Sequence, residues 1–352
     1  MIPRLKRLHT ILQKTQLDGI LVSHQSNITY LTGAPSFDSY LLISRKQNFY
    51  ITDSRYYQQA HSRLKDFRIK LGGEFVFRTI AKLALDAKVK RLGFEARNLD
   101  VAQHHQIKNF LGQIYFVPTH ELIEELRKIK QSEELEKIKK AVRITVQALA
   151  YARKIIRPGL KEIEIAAQLE YFIRYKGGAR TTSFETIVAS GKNSSFPHHL
   201  TSGRRLKKEE ILFIDVGVDY QGYKSDLTRT FFLGKISSAI TKIYNIVRQA
   251  QAQAIKRIKP GVKISDIDQR ARQYITKHGY GGFFAHNLGH GIGLEVHEQP
   301  HISSRNETII EPGMVFTIEP GIYLPNKFGI RIEDDVIVTK NGCEVLSADL
   351  DK

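Results

Sequence analysis

Four carboxylates and a short run of histidines are the residues of this 352-residue chain best spaced to do chemistry. Asp215 and Asp226 flank Tyr220-Gln221-Gly222-Tyr223, and Glu319 and Glu333 flank Pro325-Asn326-Lys327. If the chain folds back at each turn as a hairpin, the two acids of each pair stand opposite each other on one face. Opposed residues have Cβ atoms roughly 4.5–5.5 Å apart, and like charges placed so repel unless a cation neutralises them. For one pair alone, salt bridges to Lys224, Arg229 or Arg331 serve as well as a metal ion. Two such pairs in matching positions point to a metal cage.

A fifth donor lies in the segment His286-Asn287-Leu288-Gly289-His290-Gly291-Ile292-Gly293-Leu294-Glu295-Val296-His297. Close-set glycines suit a place where backbone and substrate approach each other. They also disfavour a helix, and the histidine spacing differs from the H-E-x-x-H pattern of helical zinc proteases. Oxygen-rich ligation with one imidazole and no thiolate suits Mn²⁺, Co²⁺, Fe²⁺ or Zn²⁺ rather than a Cys-type structural zinc site. Four carboxylates exceed the needs of one ion and point to two, roughly 3.5–4 Å apart.

The elements that must position these residues fall into two parts. Residues 1–125 alternate helical and strand-like stretches: an amphipathic opening helix, then Gly19–Val22, Tyr40–Ile43, Phe49–Ile51 and Arg91–Phe94. That pattern predicts a small α/β domain. Residues 126–352 open with a long helix, with Ser132 as its N-cap ahead of Glu133 and Glu134. Within them Arg157-Pro158-Gly159-Leu160-Lys161 recurs as Lys259-Pro260-Gly261-Val262-Lys263, and Ile165, Ile173 and Gly177 recur as Ile267, Ile275 and Gly279. Each copy reads as a Pro-Gly turn, a helix and a glycine stop, followed by a strand with one acid before a glycine (Asp215, Glu319). A duplication of helix and hairpin predicts one pseudo-symmetric domain.

Charge and composition exclude other classes. There are 54 Lys and Arg against 36 Asp and Glu, a formal net charge of +18. Residues 1–120 hold 18 basic and 8 acidic side chains, whereas residues 291–352 hold 5 and 11. The densest basic cluster, Arg204-Arg205-Leu206-Lys207-Lys208, runs directly into Glu209-Glu210, which argues for a solvated surface rather than a nucleic-acid stripe. No specific nucleic-acid partner is expected. No apolar run reaches the ~18 residues of a membrane span. A single Cys343 and a polar N-terminus lead us to expect a reducing, cytoplasmic setting. His104-His105 has no carboxylates patterned around it and reads as a solvated loop.

In Asp215, Ser225-Asp226-Leu227-Thr228-Arg229-Thr230, Gly289-His290-Gly291, Glu319-Pro320-Gly321 and Arg331-Ile332-Glu333-Asp334, the chain resembles the dinuclear metallopeptidases of the pita-bread fold, specifically the Xaa-Pro aminopeptidase and Xaa-Pro dipeptidase (prolidase) family. Asn27–Gly33 and Thr52–Tyr56 are similar to the creatinase-like N-terminal domain of that family. The resemblance implies an α+β chain: a creatinase-like α/β domain followed by a pseudo-two-fold pita-bread catalytic domain. It implies that Asp215, Asp226, His290, Glu319 and Glu333 bind two divalent ions, Mn²⁺ foremost, with Co²⁺, Zn²⁺ or Fe²⁺ as alternatives. A hydroxide shared by the ions would attack the Xaa-Pro bond at a peptide's N-terminus. Glu319 would move the proton, His198, His286 and His297 would line the cleft, and Arg331 would orient carboxylates. His199, directly after His198, departs from the family pattern, where a small residue is usual. Peptides with proline second are the implied substrates and a homodimer the implied assembly. Two alternatives are a dipeptidase (prolidase) and a non-catalytic pita-bread protein that is chaperone-like or binds nucleic acid; methionine aminopeptidases share the five ligands but commonly lack such an N-terminal domain.

Overall fold

Apolar runs of four to six residues between turn-forming segments fold as strands, and amphipathic stretches fold as helices over them. In the computed structural model residues 3–352 are described, and they divide into two units, residues 3–127 and 128–352. The first unit runs α1 (Pro3–Lys14), β1 (Gly19–Val22), α2 (Gln25–Thr32), β2 (Ser39–Ser44), β3 (Asn48–Thr52), α3 (Ser54–Arg63), β4 (Arg68–Leu71), α4 (Val76–Asp86), β5 (Arg91–Glu95), α5 (Val101–Leu111), β6 (Tyr115–Thr119) and α6 (Glu124–Arg127). Its mixed sheet has the order β4-β3-β2-β1-β5-β6, and one face is covered by α4 and α5 through Ile80, Ala84, Ile107 and Leu111. His104 and His105 belong to α5, not to a loop. The ring of His104 stacks on Phe116 at 5.4 Å and leans on Phe94, so an aromatic neighbour accounts for it.

The second unit runs α7 (Ser132–Ile155), α8 (Glu162–Tyr171), β7 (Thr181–Thr182), β8 (Ile187–Ser190), β9 (Ile211–Val216), β10 (Val218–Tyr220), β11 (Tyr223–Lys224), β12 (Leu227–Phe232), α9 (Ser238–Arg257), α10 (Ile264–Lys277), β13 (Gly289–Gly291), β14 (Glu298–Ile302), β15 (Val315–Ile318), β16 (Gly321–Leu324), β17 (Phe328–Arg331), β18 (Asp334–Val338) and β19 (Cys343–Val345). The N-cap of α7 is Gln131 rather than Ser132: its backbone N–H donates to the Glu134 carboxylate at 3.0 Å, and Ser132 is the first helical residue. Two sheets, β12-β9-β8 and β14-β13-β15-β18-β19, position the acids: Asp215 lies in β9, and Asp226, Glu319 and Glu333 directly flank β12, β15 and β18.

The internal repeat is visible in the backbone hydrogen bonds. Gly159 N–H donates to Leu206 O at 2.8 Å and Glu162 N–H to Arg204 O at 3.1 Å; in the second copy Gly261 donates to Ile310 O at 3.1 Å and Ile264 to Thr308 O at 3.0 Å. Matching bridges pair Lys161 with Arg205 and Lys263 with Ile309. Gly159 (φ 93°) and Gly261 (φ 87°) both sit in the left-handed region that a Pro-Gly turn requires. The copies part at their ends. After α8 the chain makes a π-turn over Phe172–Lys176, so the left-handed stop falls on Gly178 rather than Gly177, whereas Gly279 stops α10 as expected.

In the second half, α9 and α10 bury Ile243, Val247, Ala250, Ile267 and Ala271 against Phe316, Ile318, Ile330, Ile332 and Val336, in and beside the strands that flank Glu319 and Glu333. Close approach is built in at Gly289, where an added Cβ would stand 2.0 Å from Thr317 O. Gly289→Ala should therefore cost about 1–3 kcal/mol and lower the thermal midpoint by several degrees. Gly203→Ala, with nothing within 4 Å of the new methyl, should leave it unchanged in the same melting experiment.

Candidate metal centre

Both acid hairpins form, with different registers. Gly321 pairs with Arg331 and Ile318 with Asp334, which sets Glu319 across from Glu333, as the sequence predicts. In the other hairpin Asp215 pairs with Thr228 rather than Asp226, so the two aspartates are diagonal neighbours. The turn is the reason: Tyr220 pairs directly with Tyr223 around Gln221 and Gly222, both at positive φ, and this two-residue turn fixes the register. Thr228 takes the position facing Asp215 and links the hairpins, donating to Glu333 Oε2 at 2.7 Å and accepting from Arg331 Nε at 3.0 Å.

His290 is carried on β13 between two glycines. Its Nε2 lies 3.3 Å from Glu319 Oε1 and 3.6 Å from Asp226 Oδ2. Donor atoms of Asp226, His290 and Glu333 lie within 4.8 Å of one another, a spacing suited to one ion. Burial raises the pKa of Asp226, with Glu333, Asp215 and Glu319 adding to the effect; burial likewise raises that of Glu333, with Glu319 and Asp215 adding. Glu319 differs. Burial pushes it up, but the hydrogen bond and charge of His290, helped by His286 and Arg331, bring it down to about 2.

The donor set fits a hard divalent cation. Asp215 Oδ1, Asp226 Oδ1 and Glu333 Oε1 are buried and receive no hydrogen bond, a costly arrangement for carboxylates unless a cation supplies the missing partner. The only thiol, Cys343, lies against Ile255 O.

The salt-bridge alternative holds in part. Arg331 pairs with Asp215 Oδ2, and also donates to Tyr323 Oη and Pro197 O at 3.0 Å each. Arg229 pairs with Asp334 and Lys224 with Asp219, so neither neutralises the four acids. Arg331 thus serves one oxygen of one acid and leaves the rest of the cluster to another cation.

Of the remaining histidines, His297 packs edge to face on His290 with ring centres 4.2 Å apart. Partial withdrawal from water lowers its pKa, and His290 and His198 lower it further. Of the His198-His199 pair, His198 is the one whose charge acts on His297. His199 turns away, its Nε2 3.0 Å from the buried carboxylate of Glu162. His286 sits between Phe284 and Tyr323; its Nδ1 contacts Asn287 O at 2.7 Å and its Nε2 has no partner. Its backbone is fixed by Arg272, which donates to His286 O and Phe284 O at 2.9 Å.

Three supporting residues escaped the sequence reading. Gln251, wholly buried in α9, donates to Ile318 O at 2.9 Å and Ile332 O at 3.2 Å, the carbonyls just before Glu319 and Glu333. Thr228 lay inside a quoted motif, but only the register shows its role. Asp335 accepts the N–H of Asp226 at 3.0 Å, and burial pushes its pKa up to about 8.

Comparison with known proteins adds to this geometry. Residues 136–340 match the model of metallopeptidase family M24, and residues 4–129 that of the creatinase/prolidase N-terminal domain. An Xaa-Pro dipeptidase of Pyrococcus horikoshii is 36% identical over 350 residues, covering 99% of this chain and 97% of the relative. Among solved structures, an Xaa-Pro dipeptidase from Bacillus anthracis superposes with a TM-score of 0.95 at 38% identity, covering 98% of this chain and 97% of the other. An X-Pro aminopeptidase from Thermotoga maritima does so with a TM-score of 0.89 at 38% identity, covering 97% of each.

The raised pKa values have a testable sign. In the ion-free protein Asp226, Glu333 and Asp335 bind protons more tightly when folded than when unfolded. Stability is then highest near the ordinary carboxylate range, about pH 4, and falls as pH rises through about 8. Glu319 acts in the opposite sense, losing its contribution as pH falls from about 4.5 toward 2. Chelator-treated protein should melt progressively lower from about pH 5 to 8, and added Mn²⁺ should raise the midpoint more at pH 8 than at pH 5. A flat ion-free profile would contradict the arrangement.

Proposed function

The chain belongs to metallopeptidase family M24, and on that premise we propose that it is a metal-dependent exopeptidase that hydrolyses the Xaa-Pro bond at the N-terminus of peptides. The observation that carries this reading is the gathering of Asp226, His290 and Glu333 donor atoms within 4.8 Å, with Glu319 beside His290 and one buried oxygen each of Asp215, Asp226 and Glu333 receiving no hydrogen bond. Asp215, Asp226, His290, Glu319 and Glu333 would hold two divalent ions, with Mn²⁺ our first choice. The chemistry such ions supply when bound is polarisation of the scissile carbonyl and a lowered pKa for water.

The chain's own residues do the rest. Glu319 accepts a proton from the attacking water and delivers it to the prolyl nitrogen, which has no N–H and leaves as an amine only when protonated. His297 and His198 donate hydrogen bonds toward the oxygen on which negative charge develops and toward the prolyl carbonyl. His286 lines the same cleft beside Tyr323. Arg331 holds Asp215 in place while Thr228 orients Glu333, so two carboxylates are fixed before substrate arrives.

Two substrate lengths remain in view because the relatives include both an Xaa-Pro dipeptidase and an X-Pro aminopeptidase. An aminopeptidase is our first reading and a dipeptidase the second. A non-catalytic role is disfavoured, since all five donors are present. A cytoplasmic setting belongs to the proposal on the ground of the one free cysteine. The homodimer rests on family resemblance alone.

Hydrolysis of Ala-Pro-Ala and of Ala-Pro with added Mn²⁺ tests the reading. Release of alanine from the tripeptide marks an aminopeptidase, and cleavage of the dipeptide alone a dipeptidase. Cleavage of neither would overturn the proposal. Glu319→Ala should abolish turnover, and full activity in that variant would remove the metal-site assignment. His297→Ala should lower kcat by about 10²-fold or more with metal content unchanged by elemental analysis; loss of metal would make His297 a ligand instead.

A further inference from the structure

One buried carboxylate outside the metal centre gathers an unusual number of donors. Glu162, at the start of α8, is 0% exposed. Its Oε1 accepts from Ser190 N at 2.8 Å, Ser190 Oγ at 2.6 Å and Asn193 Nδ2 at 3.0 Å. Its Oε2 accepts from Ser202 Oγ at 2.6 Å and Ser202 N at 3.2 Å, with His199 Nε2 at 3.0 Å. Burial pushes its pKa up, but the hydrogen bonds of Ser190, Ser202 and His199 outweigh burial and keep the group an anion.

These donors belong to the two ends of one excursion, residues 190–202. At its tip the loop presents Phe196 (58% exposed), His198 and Leu200 (77% exposed). It is tied to the metal-centre strands as well: Ser194 Oγ accepts from Gly329 N at 2.9 Å, and Pro197 O accepts from Arg331, the partner of Asp215. Glu162 thus closes the loop that carries His198 into a ring around one carboxylate.

The internal repeat supplies a control within the molecule. The residue equivalent to Glu162 is Ile264, also 0% exposed, and its N–H makes the matching bond to Thr308 O. The repeated backbone frame therefore forms with an apolar side chain at this position. The carboxylate occurs only in the half that carries the His198 loop.

We propose that Glu162 is a positioning residue for hydrolysis, acting through His198 by pinning both ends of the 190–202 loop. The departure at His199 then has a role: its imidazole is one more donor on the pin. This inference rests on the Xaa-Pro exopeptidase reading for its kinetic consequence, but the pin itself has a readout that needs no activity.

The experiment compares wild type, Glu162→Gln, His198→Ala and the double variant on Ala-Pro-Ala and Ala-Pro with Mn²⁺, together with hydrogen exchange of the 190–202 amides. Glu162→Gln should lower kcat/KM by about tenfold or more, because a displacement of about 1 Å can cost up to 10²-fold. Added to His198→Ala, it should cost little further, since both act through one side chain. Metal content should match wild type, and exchange should accelerate at residues 190–202 but not in α9 and α10. Activity within twofold of wild type, losses that multiply in the double variant, lost metal, or unchanged loop exchange would each overturn the proposal. If Glu162→Gln does not fold, Ser202→Ala removes one donor from the same carboxylate and should show the same non-additivity on a smaller scale. A wild type inactive on both peptides defeats the exopeptidase reading, while loop exchange alone then decides the pin.

Discussion

Everything in the second unit is organised around the cost of placing four carboxylates together out of water. Isolated buried charges of one sign are among the least favourable arrangements a protein can hold. One imidazole, His290, stands between two of them, nearer Glu319 at 3.3 Å than Asp226 at 3.6 Å, and only Asp215 pairs with an arginine. Asp226 and Glu333 are left with raised proton affinity and one buried oxygen each that receives no hydrogen bond. A fold that tolerates this must hold the groups rigidly, because any relaxation would move them apart or admit water.

Rigidity comes from strands whose alternate residues face different problems. In β18, Asp334 turns to Arg229 at 2.7 Å and Ser347 Oγ at 2.5 Å, while the adjacent Asp335 turns to the backbone of Asp226. One step along the chain separates a satisfied ion pair from the support of a metal-centre acid. Gln251 makes a comparable link from the helical layer, spanning the carbonyls that precede both glutamates. Packing of α9 against the strands is thereby converted into a fixed separation of two carboxylates, the kind of preorganisation that catalysis by positioned groups requires.

Much of this was legible in the sequence because it depends on local residue chemistry. Turns at Gln221-Gly222 and around Asn326, the Pro-Gly pairs at 158–159 and 260–261, and the glycines beside His290 each dictate a backbone state that few other residues adopt. The four acids stood out because two carboxylate pairs in matching positions repel without a cation, and the family resemblance then singled out His290 among the three histidines. What stayed hidden depends on register and distance. Whether Asp226 or Thr228 faces Asp215 is decided by a two-residue shift, which composition does not encode. The cap of α7 moved by one residue because Gln131 and Glu134 form the reciprocal pair that a serine normally provides. Gln251 sits in an ordinary helical pattern, and its partners are backbone carbonyls 67 and 81 residues away. His104 was misplaced in a loop because an aromatic stack supplies no periodic signal.

The repeated frame has an evolutionary reading. Two backbone scaffolds with the same hydrogen-bond pattern enclose excursions of different content: one carries the His198 loop on a carboxylate, and the other an apolar packing site at Ile264. Because the frame is satisfied by main-chain bonds, the excursions are free to diverge without unfolding what holds them. A duplicated chain of this kind separates inheritance from invention: one set of contacts preserves the architecture, and the segments hung from it are where a new specificity can arise.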